Sequence, residues 1–155
     1  MAGKIDARLK ELGITLPPAP APAANYVPWV VSQKLVFVAG QIPMVEGKPQ
    51  FVGKLGREFA IEQGKEAARV CALNILAQLK AACGGDLDKV ARCAKVGAFV
   101  NCTPEFSDQP QVVNGASDLM VELFGDIGRH ARAAVGVSSL PGGVAVEVEA
   151  TFEIG

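Results

Sequence analysis

HARAAVGVSSLPGGVAVEVEATFEIG, residues His130 to Gly155, holds two runs of alternating apolar and non-apolar residues on either side of Leu140-Pro141-Gly142-Gly143. A period of two marks a half-buried strand, and the Pro-Gly-Gly breaker interrupts both runs, so the stretch is expected to form a hairpin. Side chains alternate across a strand, so Ala131, Ala133, Val135 and Val137 share one face of the first run. Arg132, Ala134, Gly136 and Ser138 take the other. In the second run Val144, Val146, Val148, Ala150 and Phe152 oppose Ala145, Glu147, Glu149, Thr151 and Glu153. If the runs pair and turn their apolar faces into one core, Arg132, Glu147 and Glu149 share the face away from it, because a one-residue slip would bury the carboxylates. Direct pairing is the premise, and sequential strands are neighbours in about two-thirds of cases.

An Arg and two Glu on a non-core strand face are what a solvated surface with a weak ion pair looks like. The company of the Arg argues for more. Ala133, Ala134, Gly136 and Ala145 are poor strand formers that leave a hollow beside the charge. A guanidinium at the edge of a hollow is suited to gripping a carboxylate through two parallel hydrogen bonds.

Ala131-Arg132-Ala133-Ala134-Val135-Gly136-Val137, then Leu140-Pro141, then Val146-Glu147-Val148-Glu149-Ala150, resembles the end of the RidA/YjgF family of enamine/imine deaminases, formerly called endoribonuclease L-PSP. Ala39-Gly40-Gln41-Ile42-Pro43, preceded by Asn25-Tyr26-Val27, matches a second family motif in the same order, so the resemblance runs from about Asn25 to Ile154. It implies a chorismate-mutase-like α+β fold, a homotrimer with pockets at the subunit clefts, and hydrolysis of 2-imino or 2-enamino acids to 2-keto acids and ammonia. In its terms Arg132 holds the substrate carboxylate and Glu149 positions or deprotonates the attacking water, with Glu147 in support. Tyr26 walls the pocket, Gly40 lets backbone groups approach the ligand, and Asn114 matches a family Asn. Ala134 stands where the deaminases usually have Cys. The resemblance implies no metal and no organic cofactor, since a protonated imine is already electrophilic.

The 155 residues, half of them hydrophobic, suit one domain with its own core. A net charge of -1 provides no basic stripe for nucleic acid. No apolar run reaches the ~18 residues of a membrane span and no signal-peptide core opens the chain, so a cytoplasmic protein is expected. Cys71, Cys83, Cys93 and Cys102 lack the C-x-x-C spacing of zinc or redox sites and read as buried thiols. The single His130 supports neither a His-rich metal site nor a triad and reads as a surface or interface residue.

Residues 1–24 form a first segment. Ile5, Leu9 and Leu12, stopped by Gly13, predict a short amphipathic helix, and Leu16 to Ala24 (LPPAPAPAA) predicts an extended arm. Residues 25–155 form the family-like domain. Strands are expected at Tyr26–Val31, Lys34–Ala39 and Phe51-Val52, a helix from Glu58 to Cys83 ending at Gly84-Gly85, and a strand from Val90 to Cys102. Asp108 is placed to cap a second helix closed by Gly125. The order β-β-β-α-β-α-β-β predicts a six-stranded mixed sheet with two helices covering one face. The other face is too apolar in places to stay wet, so oligomerisation is expected. Two further functions stay open: a non-catalytic binder of small carboxylates, which would keep Arg132 as its grip, and the endoribonuclease or translation inhibitor of the old family label, which the absence of clustered basic residues disfavours.

Overall fold

Two helices form where apolar residues recur every three or four positions. In the computed structural model, which describes residues 3–21 and 24–155, α2 runs Ile61–Ala82 and α3 runs Gln109–Phe124. The α2 stripe of Ala68, Cys71, Ala72, Ile75, Leu76 and Leu79 is fully buried, as its spacing requires. At the start of α2 the Gln63 side chain accepts the Ala60 N–H at 2.7 Å, and at its end the Gly85 N–H reaches the Lys80 carbonyl at 2.8 Å, so both ends find partners for free backbone groups. Val112, Ala116, Leu119, Met120 and Leu123 bury the facing stripe of α3, and Gly125, at φ 67°, closes it. The two helices touch backbone to backbone: a Cβ on Gly115 would stand 2.0 Å from the Lys65 carbonyl oxygen.

Beneath them lies a five-stranded sheet, not the six-stranded one expected. It comprises β1 (Trp29–Ser32), β2 (Leu35–Gln41), β5 (Val90–Asn101), β6 (Ala131–Val137) and β7 (Val146–Ile154). The missing member is Phe51-Val52, where Val52 makes a single bridge to Val144. A separate ribbon, β3 (Met44–Val45) with β4 (Lys48–Pro49), forms nearby and turns at Glu46-Gly47, both at positive φ.

The order is β1-β2-β7-β5-β6, and this corrects the hairpin. The runs of the closing stretch are both strands, but β5 lies between them. β6 pairs with β5 in parallel and β7 pairs with β5 antiparallel. A parallel pair needs a crossover, which α3 supplies between β5 and β6, so β6 comes to the edge and the chain must step over β5 to reach β7. Pro141–Gly143 is a 3₁₀ turn within that step. The buried Asn101, at the end of β5, holds the step down: its N–H reaches the Ala145 carbonyl at 2.8 Å, its side chain donates to the Val144 carbonyl at 3.1 Å, and Lys54 Nζ bridges its Oδ1 and the Ser138 carbonyl.

Interposing β5 also overturns the parity argument. Val96 is in register with both Arg132 and Ala150, so Arg132 faces the helices. Gly97 is in register with Glu149, and Phe99 with Glu147, so both carboxylates face the open side. Val146, Val148, Ala150 and Phe152 do enter the core as read, alongside Val36, Val38, Val96 and Val100. On β6 the assignment inverts, because the apolar Val135 belongs to the open face, where Val30 and Phe37 also stay about half exposed.

The N-terminal segment is more than an attachment. α1 (Lys4–Glu11) lacks a capping side chain of its own, and Asp88 accepts the Lys4 and Ile5 N–H groups at 2.9 Å each, which holds that carboxyl below its usual range. Leu9 enters the core. Of the predicted arm, Leu16 to Ala24, residues 22–23 lie outside those described. Pro20 is tied to α2 by the buried Gln78, whose amide donates to its carbonyl at 2.5 Å. All four cysteines are buried free thiols, and burial drives Cys93 up to about 12.

Candidate active site

Two groups of the expected residues come together, on opposite faces of the sheet. The first lies at the end of β2. Gly40 faces the Glu147 side chain so closely that a Cβ there would stand 2.6 Å from Oε2. Tyr26, Gly40 and Glu147 line one cavity of about 190 Å³, with Gln41, Asn74 and the arm residue Pro20. Asn74 donates to the Ile42 and Met44 carbonyls at 3.1 and 3.0 Å, fixing the turn after β2 on α2. Glu147 is half-buried with no cationic partner among the described residues. Burial first, and then the Glu149 charge, push its carboxyl above the ordinary carboxylate range.

Glu149 sits one pleat along on the open face, exposed, against Gly97, and lines none of these cavities. Residue alternation could not rank the two glutamates. Contact with Gly40 and the cavity separates them by place: Glu147 lines the cavity, and Glu149, to which the resemblance gives the catalytic role, does not.

The second group surrounds β6 on the helix side. Arg132 Nη1 donates to Asn114 Oδ1 at 2.8 Å and Ser117 Oγ at 3.2 Å. Asn114 and Ser117 are one turn apart on α3, so both aim at the same strand position. No carboxylate pairs with Arg132 among the described residues, which leaves its charge uncompensated. Ala134 packs half-buried beside it, and further along the same strand face a cavity of about 360 Å³ opens among Cys102, Phe106, Gln109 and Gly136. Of the small residues expected to leave a hollow beside Arg132, only Gly136 lines this cavity.

His130, read as a surface or interface residue, is partly buried. Its ring lies between the Gly128 carbonyl, 2.7 Å from Nδ1, and Ser117 Oγ, 2.8 Å from Nε2. Ser117 and His130 carried no signal of their own in the sequence. Asn74 and Gln78 did: polar amides four apart on an apolar helical stripe are buried only with partners. Among the described residues no three His, Cys, Asp or Glu side chains converge as metal ligands do. No helix there is long and apolar enough to cross a membrane.

The family profile described as "YjgF/chorismate_mutase-like, putative endoribonuclease" matches residues 6–146. The chain belongs to this YjgF family. It is 48% identical over 154 residues to protein TCP17 of Trypanosoma cruzi, covering 99% of this chain and 96% of that one. The crystal structure of protein Atu1372 from Agrobacterium tumefaciens, of unknown function, superposes with a TM-score of 0.91 at 50% identity, covering 97% of this chain and 92% of the other. A protein from Shewanella oneidensis MR-1 described as a putative endoribonuclease superposes at 0.94 with 31% identity, covering 98% and 100%. The YjgF match begins in α1, not at Asn25, so the helix and arm belong to the shared body of these relatives. In this YjgF-family chain Pro20 and Ala21 of the arm line the first cavity.

Proposed function

We propose that this protein hydrolyses 2-imino or 2-enamino acids to the 2-keto acid and ammonia, at a site completed between copies of the chain. The observation that carries the reading is Glu147: a half-buried carboxyl with a raised pKa, set by Gly40 in the wall of a small cavity. A carboxyl whose pKa is raised toward neutrality exchanges protons readily in both directions. In the proposed step a water loses its proton to Glu147 as it adds to the imine carbon. The resulting carbinolamine expels ammonia as the carbonyl forms, with a proton returned to the nitrogen. Arg132 grips the substrate carboxylate, which fixes the carbon in front of the water. We assign the proton transfer to Glu147, and to Glu149 the neighbouring charge that raises it. Neither a metal nor an organic cofactor enters this step.

Arg132 and Glu147 face opposite sides of one sheet, so one copy cannot direct both at one small molecule. The exposed Val30, Phe37 and Val135 on the open face support assembly, as a homotrimer in the resembled family. The test generates an imino acid in situ with an amino-acid oxidase or a threonine dehydratase and traps survivors with semicarbazide. The protein is expected to cut semicarbazone formation and speed ammonia release. An unchanged imine lifetime, with a 2-keto acid still bound, would leave a carboxylate-binding protein without turnover. Light scattering checks the assembly, and a monomer at micromolar concentration that still hydrolyses imines would remove the shared site.

A further inference from the structure

We infer that His130 is a positioning residue for Arg132, acting through the Ser117 hydroxyl so that the side-on edge of the guanidinium is left free for a carboxylate. This rests on the reading of Arg132 as the carboxylate grip. The hydrogen positions follow from which atoms can only accept. The Gly128 carbonyl cannot donate, so at 2.7 Å it requires the proton on Nδ1 of His130. In the neutral ring Nε2 then carries a lone pair, and the Ser117 hydroxyl 2.8 Å away must point its hydrogen there. With that hydrogen committed, Ser117 Oγ presents only lone pairs to Arg132.

Nη1 of Arg132 has two hydrogens, and two neutral acceptors take them, Asn114 Oδ1 at 2.8 Å and Ser117 Oγ at 3.2 Å. The guanidinium plane is thus held from one end. Nε and Nη2, which lie side by side, keep their hydrogens without a protein partner among the described residues, and their spacing matches the two oxygens of a carboxylate. Neutral acceptors suit this task better than a carboxylate would, since they orient the cation without cancelling its charge. His130 also stands two residues before Arg132, and its ring is anchored to the 3₁₀ turn at Gly125–Gly128, so the turn, α3 and the edge strand are coupled at this point.

Calorimetry with 2-oxobutyrate on the assembled protein tests the inference. His130→Gln keeps an acceptor near the Nε2 position, whereas His130→Leu has none. The dissociation constant should rise about three- to tenfold in Ser117→Ala and in His130→Leu, the range for loss of one hydrogen bond, and stay within about twofold of wild type in His130→Gln. Adding His130→Leu to Ser117→Ala should cost nothing further, because the relay is already broken. In turnover the change should fall on KM more than on kcat. Additive losses, or equal losses in the Gln and Leu variants, would overturn the relay. So would unchanged affinity in Ser117→Ala and His130→Leu alongside a loss in Arg132→Lys. Unchanged affinity in Arg132→Lys itself would instead remove the clamp, and the role of His130 with it.

Discussion

The two faces of the sheet hold their charges in opposite ways. On the helix side Arg132 is held at Nη1 by two neutral acceptors, Asn114 and Ser117, and its charge is left whole. On the open side Glu147 has burial and a like charge for company, so its environment favours the proton. The ion pairs among the described residues, such as Arg69–Glu122 and Lys80–Asp6, lie elsewhere on the exposed surface. A chain selected only for stability gains little by keeping a half-buried acid and a clamped cation apart. The proposed function gives this separation a use, with Arg132 of one copy for the substrate carboxylate and Glu147 of another for the proton transfer.

The sharpest way to break this contrast is Glu147→Gln, which keeps the shape and removes the base. Turnover of an imino acid is expected to fall about 100-fold or more while a 2-keto acid still binds. Glu149→Gln should do far less, and a steady-state comparison in which Glu149 mattered more would return the role to the outer glutamate. Next comes Arg132→Lys, which keeps the charge and loses the planar fork. Calorimetry should show ligand affinity down by 1.5–3 kcal/mol, about 10- to 150-fold, the range for charged hydrogen bonds.

Gly40→Ala sharpens the comparison without changing any charge. Its Cβ would press on a flexible carboxylate end, so a melting curve close to wild type is expected while turnover drops roughly tenfold from misplacement of the acid. Wild-type turnover in this variant would separate Glu147 from the chemistry. The smallest effect is in stability. The Glu147 pKa is higher folded than unfolded, so its contribution is fully present below the ordinary carboxylate range and is lost as pH rises through the raised value. Melting temperatures of Glu147→Gln should therefore gain on wild type as pH rises from acid to neutral. A wild type that gained on Glu147→Gln over the same range would reverse the sign assigned to the group.

Much of the fold was legible in local pattern. The α2 and α3 stripes, their glycine stops, the long β5 and the inward set Val146, Val148, Ala150 and Phe152 all follow from periodicity, because each depends on neighbours within one or two turns or pleats. Family membership was legible too, in the motifs around Gly40 and Arg132. Which strand lies beside which was not. Alternation gives each strand two faces but no partner, and placing β6 against β7 instead of β5 reversed the side on which Arg132 stands. Alternation placed two glutamates on one face two residues apart, and the resemblance gave the catalytic role to Glu149. Only tertiary packing, with Gly40 against one and Gly97 against the other, made Glu147 the half-buried acid and left Glu149 exposed. Likewise, Ser117 and His130 join Arg132 only because α3 lies across the edge strand, a contact between distant segments that no local period encodes.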